Sequence, residues 1–231
     1  IVGFFAVGIP PSGTADPYAL RRQALGIINI LLEKRYALGL MFLIDECLAA
    51  LKDVLRKPAE DVKKDVLDFF RGRLQNQLIA QGYAYDTVDA VLAADIDDLV
   101  MVVEKVRALQ DFRQNPEFEP LSVGFKRVDN ILKDFRDGQI DVNLLSQEAE
   151  IKLFASLDTM KTRVEKSIAE KDFPAALNRL AALRPAVDAF FDSVMVMDKD
   201  EQVRFNRLSL LYEISALFHK IADFSRIVTA G

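Results

Sequence analysis

Apolar residues recur along this chain at alternating steps of three and four, the spacing that lines one face of a helix. The pattern is plainest near the end. Over Val203 to Ile227, the positions Leu210, Ile214, Leu217, Ile221, Phe224 and Val228 form one row. Leu208, Leu211 and Phe218 widen it, so this helix needs partner helices on more than one side. The same reading gives helices from Leu20 to about Lys34, from Leu40 to Leu55, and from Pro58 to near Gly82. Asp86-x-x-Asp89 and Asp95-x-x-Asp98 resemble capping boxes opening two more, the second running to about Phe112. Asn115-Pro116 opens a helix with Leu121, Phe125, Val128, Leu132 and Phe135 inward, and Ser146 caps a long one. Pro174 starts a further helix and Pro185 interrupts it, because proline removes a backbone donor. No stretch alternates with a period of two, and there is no glycine-rich phosphate loop. The expected fold class is all-α, an antiparallel helical bundle with short connections.

Composition changes the picture mainly by exclusion. Hydrophobic residues make up 51% and charged ones 28% of 231, a balance that suits a packed domain rather than a disordered chain. The single cysteine, Cys47, excludes an internal disulfide and fits a reducing cytoplasm. The single histidine, His219, lies off the apolar row and reads as a rim residue; structural zinc sites and nucleophile–histidine chemistry ask for more. The acidic run from Asp86 to Glu104 reads as caps and a solvated face rather than a metal cage. A net charge of −5 leaves no overall basic footprint, so any RNA contact must be local. The opening IVGFFAVGIPP has no basic leader, is too short to span a membrane, and reads as the start of a piece of a longer protein.

Two polar clusters stand out. Lys126, Arg127, Asn130 and Lys133 share the outer face of one helix by the three-and-four rule. Arg204, Asn206 and Arg207 occupy the first turns of the last helix, where the macrodipole disfavours cations. They need an anion there: a carboxylate such as Asp198, Asp200 or Glu201, or a bound ligand. Arg71 and Arg73 are weaker candidates, Arg73 extending a row of Val62, Val66 and Phe69.

Several ordered motifs are then recognisable. Pro11-Ser12-Gly13-Thr14-Ala15-Asp16-Pro17-Tyr18-Ala19-Leu20-Arg21-Arg22 closely resembles the β subunit of bacterial glycyl-tRNA synthetase. So do Tyr85-Asp86 with Asp89-Ala90-Val91-Leu92, Phe125-Lys126-Arg127-Val128, Phe190-Phe191-Asp192, Val194-Met195-Val196-Met197 and Arg204-Phe205-Asn206-Arg207-Leu208. The resemblance implies a C-terminal region ending in a DALR-type anticodon-binding bundle, preceded by helices from the end of an HD-like region. It implies the divisions 1–57 (end of the HD-like region), 58–114 (helical connector) and 115–231 (anticodon-binding bundle). It also implies tRNA-Gly and a catalytic α subunit as partners in an α2β2 heterotetramer, in the cytoplasm and away from membranes. ATP and Mg2+ would serve the holoenzyme, with no cofactor and no catalytic residue in this fragment.

Glycine anticodons carry cytosine at their second and third positions, and a splayed cytosine is readable by carboxylate, Arg and Asn. The expectation is one cationic notch in which Arg127, Asn130, Asn206 and Arg207 read bases while Lys126, Lys133 and Arg204 hold phosphates. Arg71 and Arg73 would meet the tRNA stem. The competing reading is a helical interaction scaffold that docks on the rest of the synthetase, or on tRNA outside the anticodon.

Overall fold

The computed structural model describes residues 1–11 and 16–229; Ser12 to Ala15 of the first motif lie outside them. The described residues contain helices and turns and no strand, as the periodicity requires. They divide into two compact units, Ile1–Val106 and Arg107–Gly231.

The first unit holds α1 (Val2–Ala6), α2 (Leu20–Lys34), α3 (Leu40–Ala50), α4 (Ala59–Ala80), α5 (Tyr85–Ala94) and the start of α6 (Leu99–Phe112). Helix α4 is its axis. Val62, Val66, Phe70, Leu74 and Leu78, each one turn apart, are buried, and α1, α2, α3 and α5 all pack on this helix. The division expected after residue 57 lies within the first of these units, where α1, α2 and α3 all pack on α4.

Asp16 does cap α2, accepting from the Leu20 N–H at 2.8 Å and the Arg21 N–H at 3.1 Å. Pro17 lies in the preceding turn rather than in the helix, which starts after Ala19 at φ 56°. The acidic run is spent on similar work. Asp98 caps α6 through the N–H groups of Val100 and Met101, while Asp95 pairs with buried Lys105 at 3.3 Å. Asp86 sits inside α5, which begins at Tyr85, and Asp95 closes the end of α5, so neither expected box opens a helix from its first residue; Asp98, the last residue of the second box, stands at the start of α6. Asp97 caps α3 from a distance: its carbonyl accepts from Leu40 N–H at 3.0 Å and its carboxylate from Met41 N–H at 2.7 Å. Gly39 permits this approach, since a β-carbon there would sit 2.6 Å from Asp97 Oδ2. Asp97→Ala should cost about 0.5–2 kcal/mol of stability, readable as a lowered urea midpoint.

The second unit holds α7 (Phe118–Ile131), α8 (Glu148–Ala169), α9 (Phe173–Ala181), α10 (Arg184–Ser193) and α11 (Glu201–His219). Helix α8 packs against α9 and α10, and α7 against α10, α11 and the turn Phe224–Arg226. The break between α9 and α10 falls beside Pro185 as expected. The last helix is shorter than its apolar row. It stops at His219, and Asp223 then accepts from the Ser225 N–H at 3.1 Å to cap a single turn. That turn carries Phe224 to 5.4 Å from the Phe218 ring and 5.8 Å from the Phe125 ring. Tertiary packing keeps the row's hydrophobic register after the helix itself has ended.

Candidate nucleic-acid interface

The first turns of α11 resolve the charge conflict read from the sequence, and they do so internally. Arg207 is 3% exposed. Its Nε donates to Glu150 at 2.5 Å, and its Nη1 donates to Asp198 at 2.6 Å and to the Met195 carbonyl at 2.9 Å. With the Gln147 amide oriented to suit its neighbours, its oxygen accepts from Nη2 at 3.0 Å. Glu150 is 1% exposed and also accepts from the backbone N–H groups of Ser146 and Gln147, closing the N-terminus of α8. Gln147, not Ser146, is the residue at that cap.

Burial opposes charge on both partners, and the hydrogen bonds more than offset it. The guanidinium of Arg207 is raised above its ordinary value by Glu150 and Asp198. The carboxyl of Glu150 is lowered by the N–H of Gln147, by Arg207 and by the N–H of Ser146. Asp198 is lowered by the Asp200 N–H and then by Arg207.

Asn206, also 3% exposed, clamps one residue: its oxygen accepts from the Asp141 N–H at 2.7 Å and its amide donates to the Asp141 carbonyl at 3.0 Å. Arg204 lies along the same loop, donating to the Asp198 carbonyl at 3.0 Å and reaching Glu201 at 3.5 Å. The expectation of a surface notch built on Arg207 and Asn206 is thus corrected. The anion that the helix start required is a pair of carboxylates, and these two side chains brace α8 and two loops against α11.

The cluster from Lys126 to Lys133, at the end of α7 and just past it, behaves differently. Arg127, Asn130 and Lys133 are exposed and Lys126 is half-buried. Lys126 donates to the Thr229 hydroxyl at 3.2 Å, while Arg127 lies 4.2 Å over the Phe191 ring of α10. Among the described residues none of Lys126, Arg127, Lys133 or the neighbouring Arg136 has an ion-pair partner. Lys161, Arg184, Lys220 and Arg207 of the same unit are all paired with carboxylates. The two clusters do not share a cleft: the groove bordered by Arg127 and the one bordered by Asn206 have no residue in common. In the first unit, Arg71 pairs with Asp68 and donates to the Leu92 carbonyl at 3.3 Å, and Arg73 lies 5.7 Å over the Phe69 ring. Both have structural partners.

A larger groove, of about 560 Å³, runs between the end of α7 with the turn that follows it and the outer face of α11. Phe135 and Tyr212 line it with ring centroids 6.0 Å apart, together with Asp129, Arg136, His219 and Lys220. Gly138 lets Phe135 sit there, since a β-carbon on it would meet the Phe135 ring at 2.6 Å and overlap the Ser209 hydroxyl. Sequence reasoning placed Phe135 in the core and passed over Tyr212, Arg136 and Asp129. The available signal was the row Tyr212, Ser215, Ala216 and His219, a less hydrophobic stripe beside the apolar one on the last helix. No group of three or more His, Cys, Asp or Glu among the described residues could hold a metal ion. No helix among them is long and apolar enough to cross a membrane.

Comparison with known proteins identifies the class to which this helical unit belongs. Residues 121–228 match the family profile described as DALR anticodon binding domain. Residues 1–93 match the profile described as Glycyl-tRNA synthetase beta subunit. The glycine–tRNA ligase beta subunit of Syntrophus aciditrophicus (strain SB) is 55% identical over 229 residues, covering 99% of this chain and 33% of that protein. That of Geobacter metallireducens is 50% identical over 227 residues, 98% of this chain and 33% of its own length. The chain belongs to the glycyl-tRNA synthetase β-subunit family. It spans about a third of the length of the curated relatives it matches.

Proposed function

We propose that this chain is the tRNA-binding part of the β subunit of an ATP-dependent glycine–tRNA ligase, positioning tRNA-Gly for glycylation by a separate α subunit. The second unit grips the anticodon arm along α7. Lys126, Arg127 and Lys133 hold phosphates, Asn130 contacts the loop, and Arg204 adds a weaker contact from the start of α11. Arg207 and Asn206 act beneath the surface, fixing the elements that carry it.

The observation that supports this reading most directly is that Lys126, Arg127 and Lys133, at the end of α7 and just past it, have no ion-pair partner among the described residues of a chain of net charge −5. Replacing Lys126, Arg127 and Lys133 together by Ala in the complete synthetase should weaken tRNA-Gly binding by about tenfold or more. The salt dependence of log Kd should flatten by about two units of slope, since each single-strand phosphate contact contributes about 0.7. An unchanged slope would remove the reading.

Docking on the rest of the synthetase is favoured for the first unit by one observation. Ile30, Tyr36, Met41 and Phe42, around the α2–α3 corner, are between 42% and 59% exposed. Phe42→Asp should loosen assembly of the synthetase on size exclusion and leave the second unit's affinity for an isolated anticodon stem-loop intact. Retained assembly would count against this role.

A further inference from the structure

We infer that the segment from Val194 to Asp198, between α10 and α11, is a docking surface for a separate protein, and that it takes the apolar face of an amphipathic helix flanked by lysine and arginine. The inference concerns protein binding and does not depend on the tRNA reading.

The argument begins with burial. The chain leaves α10 in extended backbone at Val194, with φ −115° and ψ 125°. From there inward and outward positions alternate: Val194 and Val196 are 5% and 6% exposed, whereas Met195 and Met197 are 73% and 60% exposed. The valines anchor the segment to the core, so two neighbouring methionines stand in solvent. The opening of α8 lies against the same segment, since the Gln147 amide, oriented to suit its neighbours, donates to the Ser193 carbonyl at 3.2 Å. One turn further along α8 stands Ile151, which is also exposed.

The backbone under the methionines is braced from below. Arg207 Nη1 donates to the Met195 carbonyl at 2.9 Å and to the Asp198 carboxylate at 2.6 Å, and Arg204 Nη1 donates to the Asp198 carbonyl at 3.0 Å. The Val194 N–H donates to the Phe190 carbonyl at 2.8 Å, and the Asp198 N–H to the Val196 carbonyl at 3.0 Å. A fixed backbone loses little freedom on binding, while the flexible thioether side chains adapt to the shape that arrives.

Charge selects the occupant. Asp192, Asp198, Asp200 and Glu201 flank the methionines, against Lys199 and Arg204. The charge of Arg207 is already shared with buried Glu150. A net negative rim disfavours a phosphate backbone, and two copies of this face would repel one another. A helix with an apolar stripe between rows of lysine and arginine meets both the thioethers and the carboxylates. Adaptable methionines inside a charged rim suit a contact that forms and releases, which points to a separate polypeptide.

The test uses the complete synthetase and two synthetic helical peptides of about fourteen residues, each with leucine on one face. One carries lysine on its other face and the second carries glutamate. By titration calorimetry the lysine peptide should bind about tenfold or more tighter than the glutamate peptide, and added salt should weaken it. Met195→Gln combined with Met197→Gln keeps side-chain length and charge; it should weaken the lysine peptide by about tenfold or more. The melting temperature and the affinity for tRNA-Gly should stay unchanged in that variant. If neither peptide binds, if both bind alike, or if the double variant binds the lysine peptide as well as the unaltered protein does, the inference is overturned. If the double variant weakens tRNA-Gly instead, the segment is an RNA surface and the inference is likewise overturned.

Discussion

Arg207→Leu will destabilise the second unit by about 3–5 kcal/mol, because it leaves Glu150, 1% exposed, as a buried carboxylate without its counter-charge. The apparent melting temperature should fall by about 10 °C or more. The loss comes from the orphaned partner rather than from any net strength of the pair. The double variant Arg207→Leu with Glu150→Leu should therefore recover much of it, since apolar replacement of a buried pair is often close to neutral. The recovery will be incomplete, as Glu150 also closes the N-terminus of α8 through Ser146 and Gln147.

The same network sets a direction for pH. The Glu150 carboxyl is lowered in the folded state from an ordinary value of 4.5. A lowered folded value means that its stabilisation is complete above the unfolded value and is lost as pH falls through the folded one. Stability should therefore decline below about pH 4.5, and Glu150→Gln should flatten that decline while lowering the plateau. Equilibrium unfolding in urea between neutral and acid pH measures both.

Gly138→Ala will cost about 1–3 kcal/mol and will disturb the α7–α11 groove as well. The added carbon would overlap the Ser209 hydroxyl and lie 2.6 Å from the Phe135 ring. Neither atom retreats freely: the hydroxyl donates to the Phe205 carbonyl at 2.9 Å, and the ring packs 5.3 Å from Phe205 and 6.0 Å from Tyr212. A change at this turn should thus lower the melting temperature, and Ser209→Ala combined with Gly138→Ala should recover part of the loss, as it removes one of the two clashes.

Much of the fold follows from spacing alone. The α7 stripe and the α9–α10 break at Pro185 could be placed because hydrophobic period and proline chemistry act locally. The C-terminus of α11 could not, since Phe224 keeps the helical register while belonging to a separate turn. Longer-range matters were out of reach as well. That Asp97 caps α3 rather than its own helix depends on a contact across 56 residues.

The site shows the same division. The sequence flagged Arg204, Asn206 and Arg207 correctly as cations and an amide in need of partners. It could not say that Glu150, 57 residues away, supplies the charge from a buried position. The α7 cations were legible because an exposed helical face is a local property. Asp129, Phe135 and Tyr212 were not, since a groove between two helices exists only after they pack.

The central claim is that the anticodon loop of tRNA-Gly rests on the α7 face of the second unit. Nucleotide-resolution footprinting of tRNA-Gly on the complete synthetase, with and without the Lys126, Arg127 and Lys133 replacements, tests it most directly. The account predicts strong protection of the anticodon loop that is lost in the triple variant while the acceptor stem stays protected. Protection of the loop that survives the three replacements unchanged would contradict it.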